Sequence, residues 1–132
     1  MTQILYLINA ANDPGQSLIA NDNSFPPLGV LALATWIKNN VPSIKVIVKD
    51  HSIISTDEIL RDIDDLKPWM VAVSVLSTSY QNSLMIASYA KHKGAITVFG
   101  NDHAAQLSVK ILQKRPFVDY VIGSEYGEKA FE

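Results

Sequence analysis

The chain has 132 residues, 48% of them apolar and 18% charged, with a net charge of −2, a size and composition that suit one compact domain spanning 1–132 with its own core. The near-neutral balance supplies no basic surface, so neither a nucleic acid nor an anionic membrane is expected as a partner. The absence of cysteine excludes disulfides, thiolate zinc sites, iron–sulfur ligation and a cysteine nucleophile within these residues, and fits a reducing cytoplasm.

No apolar run reaches the roughly 18 residues of a membrane span. Met1–Ala11 is apolar but has neither a basic leader nor a cleavage signature, so a secretory signal is not expected. Gln3–Asn9 reads as a first strand. After it, "NAANDPGQSLIANDNSFPPLG" (9–29) is far longer than the about 2 to 6 residues of an ordinary strand-to-helix loop. Pro27–Asn39 has helical spacing, with Leu28, Leu31, Ala32, Thr35 and Trp36 on one face. Lys45–Lys49 is a second strand, and Asp50 after it reads either as a cap on the nearby helix, the favoured role, or as a ligand contact. That helix, Asp57–Leu66, aligns Ile59, Leu60, Ile63 and Leu66, and Ser55 with Glu58 forms a capping-box start.

The third strand, Met70–Leu76, begins wholly apolar and runs into Ser74, Ser77, Thr78 and Ser79. A helix over Tyr80–Lys93 carries Leu84, Ala87 and Lys91 on one side, with Met85 and Tyr89 close by, and Gly94 closes it. Ala95–Phe99 is a fourth strand, followed by "FGNDHAA" (99–105). A last helix over Ala104–Lys114 offers Leu107, Ile111 and Leu112 before Pro116, and Tyr120–Ile122 is a fifth strand. Strands one, three and four are continuous in apolar residues, as strands buried on both faces are. Strict strand–helix alternation then predicts an α/β fold: a doubly wound, five-stranded parallel sheet of flavodoxin-like or Rossmann-like order 2-1-3-4-5, with helices on both faces.

In such sheets ligands sit beyond the carboxyl ends of the strands, near the point where strand order reverses. The loops after strands one, three and four meet there. Here one is long, one is rich in hydroxyls and one bears Gly100, a conjunction that points to a bound molecule. Taken singly, each has a plainer explanation: serines cap helices, and glycine suits turns. A dinucleotide site fails, because Asn9-Ala10-Ala11-Asn12-Asp13 stands where G-x-G-x-x-G is needed. Pro14-Gly15-Gln16-Ser17 is a poor cradle for a flavin phosphate. A phosphorylatable aspartate is missing from the end of strand three, where Ser74, Leu76 and Ser77 stand.

Four phrases carry a resemblance. Ser74-Val75-Leu76 resembles the S-x-L element of cobalamin-binding domains, and Gly100-Asn101 stands where those domains carry G-G. "FPPLGVLALATWIKNN" resembles the P-P-L-G helix start of the cobalamin-binding domains found N-terminal in cobalamin-dependent radical S-adenosylmethionine enzymes. "VAVSVLSTSY" through "VFGNDHAAQL" is similar to their V-G-x-S-V-x-T to V-G-G-P-H-A-T stretch, and "FVDYVIGSEYGE" to their V-D-Y-V-V-x-G-E-G-E ending. Three departures stand out. Gly-Gly-Pro has become Gly100-Asn101-Asp102, Tyr126 is inserted between Glu125 and Gly127, and the D-x-H-x-x-G loop whose histidine ligates cobalt in other cobalamin domains is missing. Asp50-His51 has the wrong position and spacing to replace it.

The resemblance implies cobalamin held without a protein histidine on cobalt, its benzimidazole tail released into the protein. Ser74 would bond the tail, Leu76 would pack near the corrin, and Thr78 and Ser79 would bind propionamide or phosphate oxygens. Gly100 and Asn101 would let the tail pass close to backbone. Leu28 and Gly29 would cover a corrin edge, and His103 is a corrin neighbour or an early helix residue. The implied partner is a C-terminal radical S-adenosylmethionine domain of the parent chain. That domain would hold the 4Fe-4S cluster and S-adenosylmethionine and would carry out methyl transfer, so these residues alone would not be catalytic. Two other readings stay open from the residues: a cofactor-free α/β regulatory or protein-interaction domain, and a domain for a phosphate or nucleotide ligand.

Overall fold

A computed structural model describes residues 3–10, 28–51, 53–75, 79–100 and 107–122. The elements follow the expected alternation: β1 (Gln3–Asn9), α1 (Leu28–Asn40), β2 (Ile44–Asp50), α2 (Thr56–Leu66), β3 (Met70–Ser74), α3 (Tyr80–His92), β4 (Ile96–Gly100), α4 (Ser108–Lys114) and β5 (Tyr120–Val121). All pairings are parallel, in the order β2-β1-β3-β4-β5. The doubly wound sheet read from the sequence is therefore the fold. β3 ends at Ser74 rather than running to Leu76. The last helix is described over Ser108–Lys114, and its expected start at Ala104 lies outside the described residues.

The two faces of the sheet are unlike. On one face Tyr6, Ile8, Val71, Val73, Val75 and Phe99 pack beneath α2, α3 and α4, with Ile59, Ile63, Leu84, Ile86, Ala87 and Ile111 pointing inward. On the other, Leu5, Leu7, Met70, Ala72 and Val98 form a smaller cluster with Ile37 of α1. α1 reaches this cluster through Val30, Leu33, Ala34, Trp36 and Ile37. The expected face differs: Leu31 is 41% exposed, and Ala32 and Thr35 are exposed too. Nearly every position from Leu28 to Ile37 is apolar, so helical periodicity could not choose a face. The sheet takes the stripe bearing the bulky branched residues.

Local chemistry fixes the ends of the helices. Ser55 caps α2, its Oγ accepting from the Glu58 backbone N–H at 3.2 Å. Gly94 stops α3 with φ +92°, a left-handed conformation that suits glycine. Lys91 does not join the packed face of α3; it reaches outward to Asp119. Tyr6 is fully buried at the centre of β1, and its hydroxyl donates to Asp62 at 2.7 Å. Burial first, and then the bond to and charge of Asp62, push that phenol far above its ordinary range, so it stays a neutral donor.

The amino-terminal end of β4 and β5 is tied by a polar latch. Asp119 accepts from the Thr97 backbone N–H at 2.9 Å and from Lys91 Nζ at 2.7 Å, and the Thr97 hydroxyl donates to the Phe117 carbonyl. Burial raises the Asp119 pKa, but the bonds from Lys91 and Thr97 outweigh it and leave the carboxyl below its usual value. A lowered native pKa gives stability that is complete above the unfolded value and lost as pH falls through the native one. Asp119→Ala is therefore expected to cost about 1–3 kcal/mol in urea unfolding near pH 7. The gap between wild type and Asp119→Asn should shrink below about pH 4; a gap that stays constant down to acid would show that the carboxylate charge contributes nothing.

Candidate functional site

Parallel pairing aligns the carboxyl ends of four strands at one level. Asn9 of β1 lies opposite Asp50 of β2 on one side and Ser74 of β3 on the other, and Ser74 lies opposite Gly100 of β4. Because side chains alternate along a strand, Asp50, Asn9 and Ser74 share a face, with Gly100 beside them. It is the face that carries Val48, Leu7, Ala72 and Val98 one pleat below, and the face on which α1 packs. The four strand-end residues are half-buried. They form a ledge of carboxylate, amide, hydroxyl and bare backbone above an apolar floor. Asn9 Nδ2 donates to Asp50 Oδ1 at 3.2 Å.

The ledge sits where the order of strands reverses. The connection after β1 passes through α1 on one face, while those after β2 and β3 pass through α2 and α3 on the other. A crevice opens at that point by topology alone. The floor is buried: Leu7, Val98 and Ala72 keep only 3%, 5% and 7% of their surface, and Leu5 on the same face keeps none. Backbone bonds carry the strands slightly past the ledge: Ala10 N–H donates to the Ser74 carbonyl at 3.2 Å, and Val75 N–H to the Gly100 carbonyl at 3.0 Å. The ledge is consequently held on rigid strands rather than on loops alone.

Gly100 has an ordinary negative φ, and a Cβ built on it would meet nothing among the described residues closer than Ile122 Cδ1 at 4.0 Å. Among the described residues, neither backbone conformation nor packing demands glycine there, and none of them fills the side-chain position beside Ser74 on the ledge face.

Of the residues singled out in the sequence, Ser74 and Gly100 are brought side by side. Leu28 and Gly29 form the first turn of α1, at the same end of the sheet. Ser79 is buried at the start of α3; its side chain makes no capping bond, and its carbonyl accepts from Ser83 Oγ at 2.8 Å. Leu76, Thr78, Asn101 and His103 lie outside the described residues. Asp50 does not cap α2, since Ser55 does, and the Asp50 carboxylate faces Asn9 instead. His51 is fully buried on the opposite face, with Nε2 3.0 Å from Thr56 Oγ1 of α2, and so points away from the ledge.

Of the ledge and floor residues, reading the sequence did not single out Asn9 and Ala72, and for Asp50 it favoured a cap over a ligand contact. The signal that could have found them is parity: counting back in twos from Ser74, and across in register from it, reaches all three. Among the described residues no group of three or more His, Cys, Asp or Glu side chains could hold a metal ion, and no helix is long and apolar enough to cross a membrane. The ledge thus offers hydroxyl, amide and carboxylate groups over a dry floor, a donor set for an organic ligand with polar edges.

Compared with known proteins, the chain matches no curated protein. It does match one family model, B12 binding domain, over residues 19–132, which takes in α1 and everything after it, including Ser74 and Gly100. The chain belongs to the B12-binding domain family.

Proposed function

We propose that this domain binds cobalamin in the base-off form, with no protein histidine on cobalt, and presents it to a radical S-adenosylmethionine domain for methyl transfer. The observation that carries this reading is that no described residue fills the side-chain position at Gly100, in register with Ser74 above an apolar floor. A detached benzimidazole is flat and mostly apolar, with one ring nitrogen left to satisfy. It gains from burial against Leu7, Ala72 and Val98 only if that nitrogen finds a donor. In this reading Ser74 at the strand end supplies that donor, and Gly100 in register beside it adds no side chain to the passage. His51, turned to the other face and buried, is no competitor for cobalt.

The remaining roles follow the same logic. Leu28 and Gly29 cover one corrin edge, and Leu76 and His103 border the ring. Ser79, at the start of α3, would receive propionamide or phosphate oxygens together with Thr78, and Asn101 would share with Gly100 the role of letting the tail pass. When bound, cobalamin supplies cobalt chemistry suited to carrying a methyl group; the chain's own residues hold, orient and shield it. The 4Fe-4S cluster and S-adenosylmethionine belong to the partner domain, because no cysteine is present here.

Reconstitution with hydroxocobalamin, dialysis and a visible spectrum test the reading directly. Retained absorbance of the base-off type is expected. A colourless dialysed protein rejects cobalamin, and a retained base-on spectrum rejects the tail slot. Ser74→Tyr is expected to abolish retention while leaving circular dichroism unchanged, because the ring would fill the slot from a half-exposed position. Undiminished affinity in that variant would remove Ser74 from the site.

Gly100→Ala gives a signature of opposite signs. An alanine in an unstrained strand position with free space is expected to stabilise the fold by up to about 1 kcal/mol. The same methyl should weaken cobalamin binding. A thermal melt and a titration on one preparation read both, and a variant that gains stability without losing affinity would show that the space at Gly100 is not used.

A further inference from the structure

We infer that Ala72 sets how deeply a planar base can enter the sheet, and thereby selects among corrinoids by the bulk of the lower base; this rests on the cobalamin reading above. Ala72 lies one pleat below Ser74 on the same face of β3, in register between Leu7 of β1 and Val98 of β4. On that face β3 presents Met70, Ala72 and Ser74 in turn, and β4 presents Ile96, Val98 and Gly100. Side-chain bulk falls away toward the carboxyl end on both strands. The result is a step: Met70 and Ile96 below, Leu7 and Val98 at the sides, and Ser74 and Gly100 at the rim.

Ala72 is buried between Leu7 and Val98 and is the smallest side chain at this level of the face. A floor of alkyl groups under a hydroxyl rim suits a flat heterocycle that enters edge first, leaving its polar atom at the rim. The Ala72 methyl then lies under the leading edge of the base. Interiors are packed closely enough that a single carbon at such a point changes what fits. Alanine leaves room that valine or leucine would close, and glycine would open the floor further.

Titration by visible absorption, beside a thermal melt, tests this with cobalamin and with cobinamide, which lacks the nucleotide tail. Ala72→Leu is expected to weaken cobalamin binding at least about tenfold, while cobinamide binds the variant no worse than it binds wild type. Ala72→Gly, which adds space and keeps the fold, is expected to shift preference toward the dimethylbenzimidazole cobamide over the unmethylated benzimidazole one, by about threefold or more. A folded Ala72→Leu that keeps its cobalamin affinity, or that loses cobinamide equally, overturns the assignment. Should the leucine variant not fold, the glycine variant decides: an unchanged preference between the two cobamides overturns it. A wild-type protein that binds no corrinoid at all fails the cobalamin reading itself, at the first titration, and takes this inference with it.

Discussion

The constraint on which the site depends is the register of β3. It is paired on both edges, to β1 and to β4, and buried on both faces. A slip of one residue would exchange the two faces of the strand, sending Val71, Val73 and Val75 to the ledge side and Ala72 and Ser74 under α3. The branched valines lock against such a slip, because only their present face has the depth to bury them beneath α2 and α3. Their packing is what places one hydroxyl and one small side chain on the other face. The run "MVAVS" is thus two patterns interleaved: odd positions pack beneath α2 and α3, and even ones run from the α1-side cluster at Met70 and Ala72 to the ledge at Ser74.

The sheet divides its tasks along the strand direction as well. At the amino-terminal end, Asp119, Thr97 and Lys91 bind β4, β5 and α3 with charge-assisted bonds. A second link between helices, Asp64 with Tyr89 and Lys93, is exposed and worth little by itself. At the carboxyl end the strands finish in half-buried small and polar residues. Both ends are tied, the carboxyl end by the backbone bonds of Ala10 and Val75, and rigid strands under a ledge reduce the ordering cost of holding a ligand there.

Much of this was legible in the residues. Continuous apolar strands separated by helical spacing give the sheet and its order, because double burial leaves a plain compositional mark. Ser74 and Gly100 were legible too, since each interrupts an apolar run at a strand end. The packed face of α1 was not, because a helix apolar on almost every side carries no periodic contrast. Asp50 was misread as a cap because the sequence places it before a helix, while only the pairing of β1 with β2 shows that it faces Asn9. Ala72 was hidden for a different reason: alanine within an apolar run looks like core until parity and register set it under Ser74.

The same parity bears on how a corrinoid would be held. Among the described residues two histidines are candidates for cobalt, and geometry disposes of both. His51 falls on the α2 face and is buried against Thr56, and His92 is exposed at the far end of α3 from the ledge. In the proposed complex, binding energy from these elements must therefore come from contacts along the ring and tail rather than from an imidazole bond to the metal. On the ledge face those contacts would come from the strand-end residues Asn9, Ser74 and Gly100 and the alkyl groups below them, which paired strands hold at fixed positions.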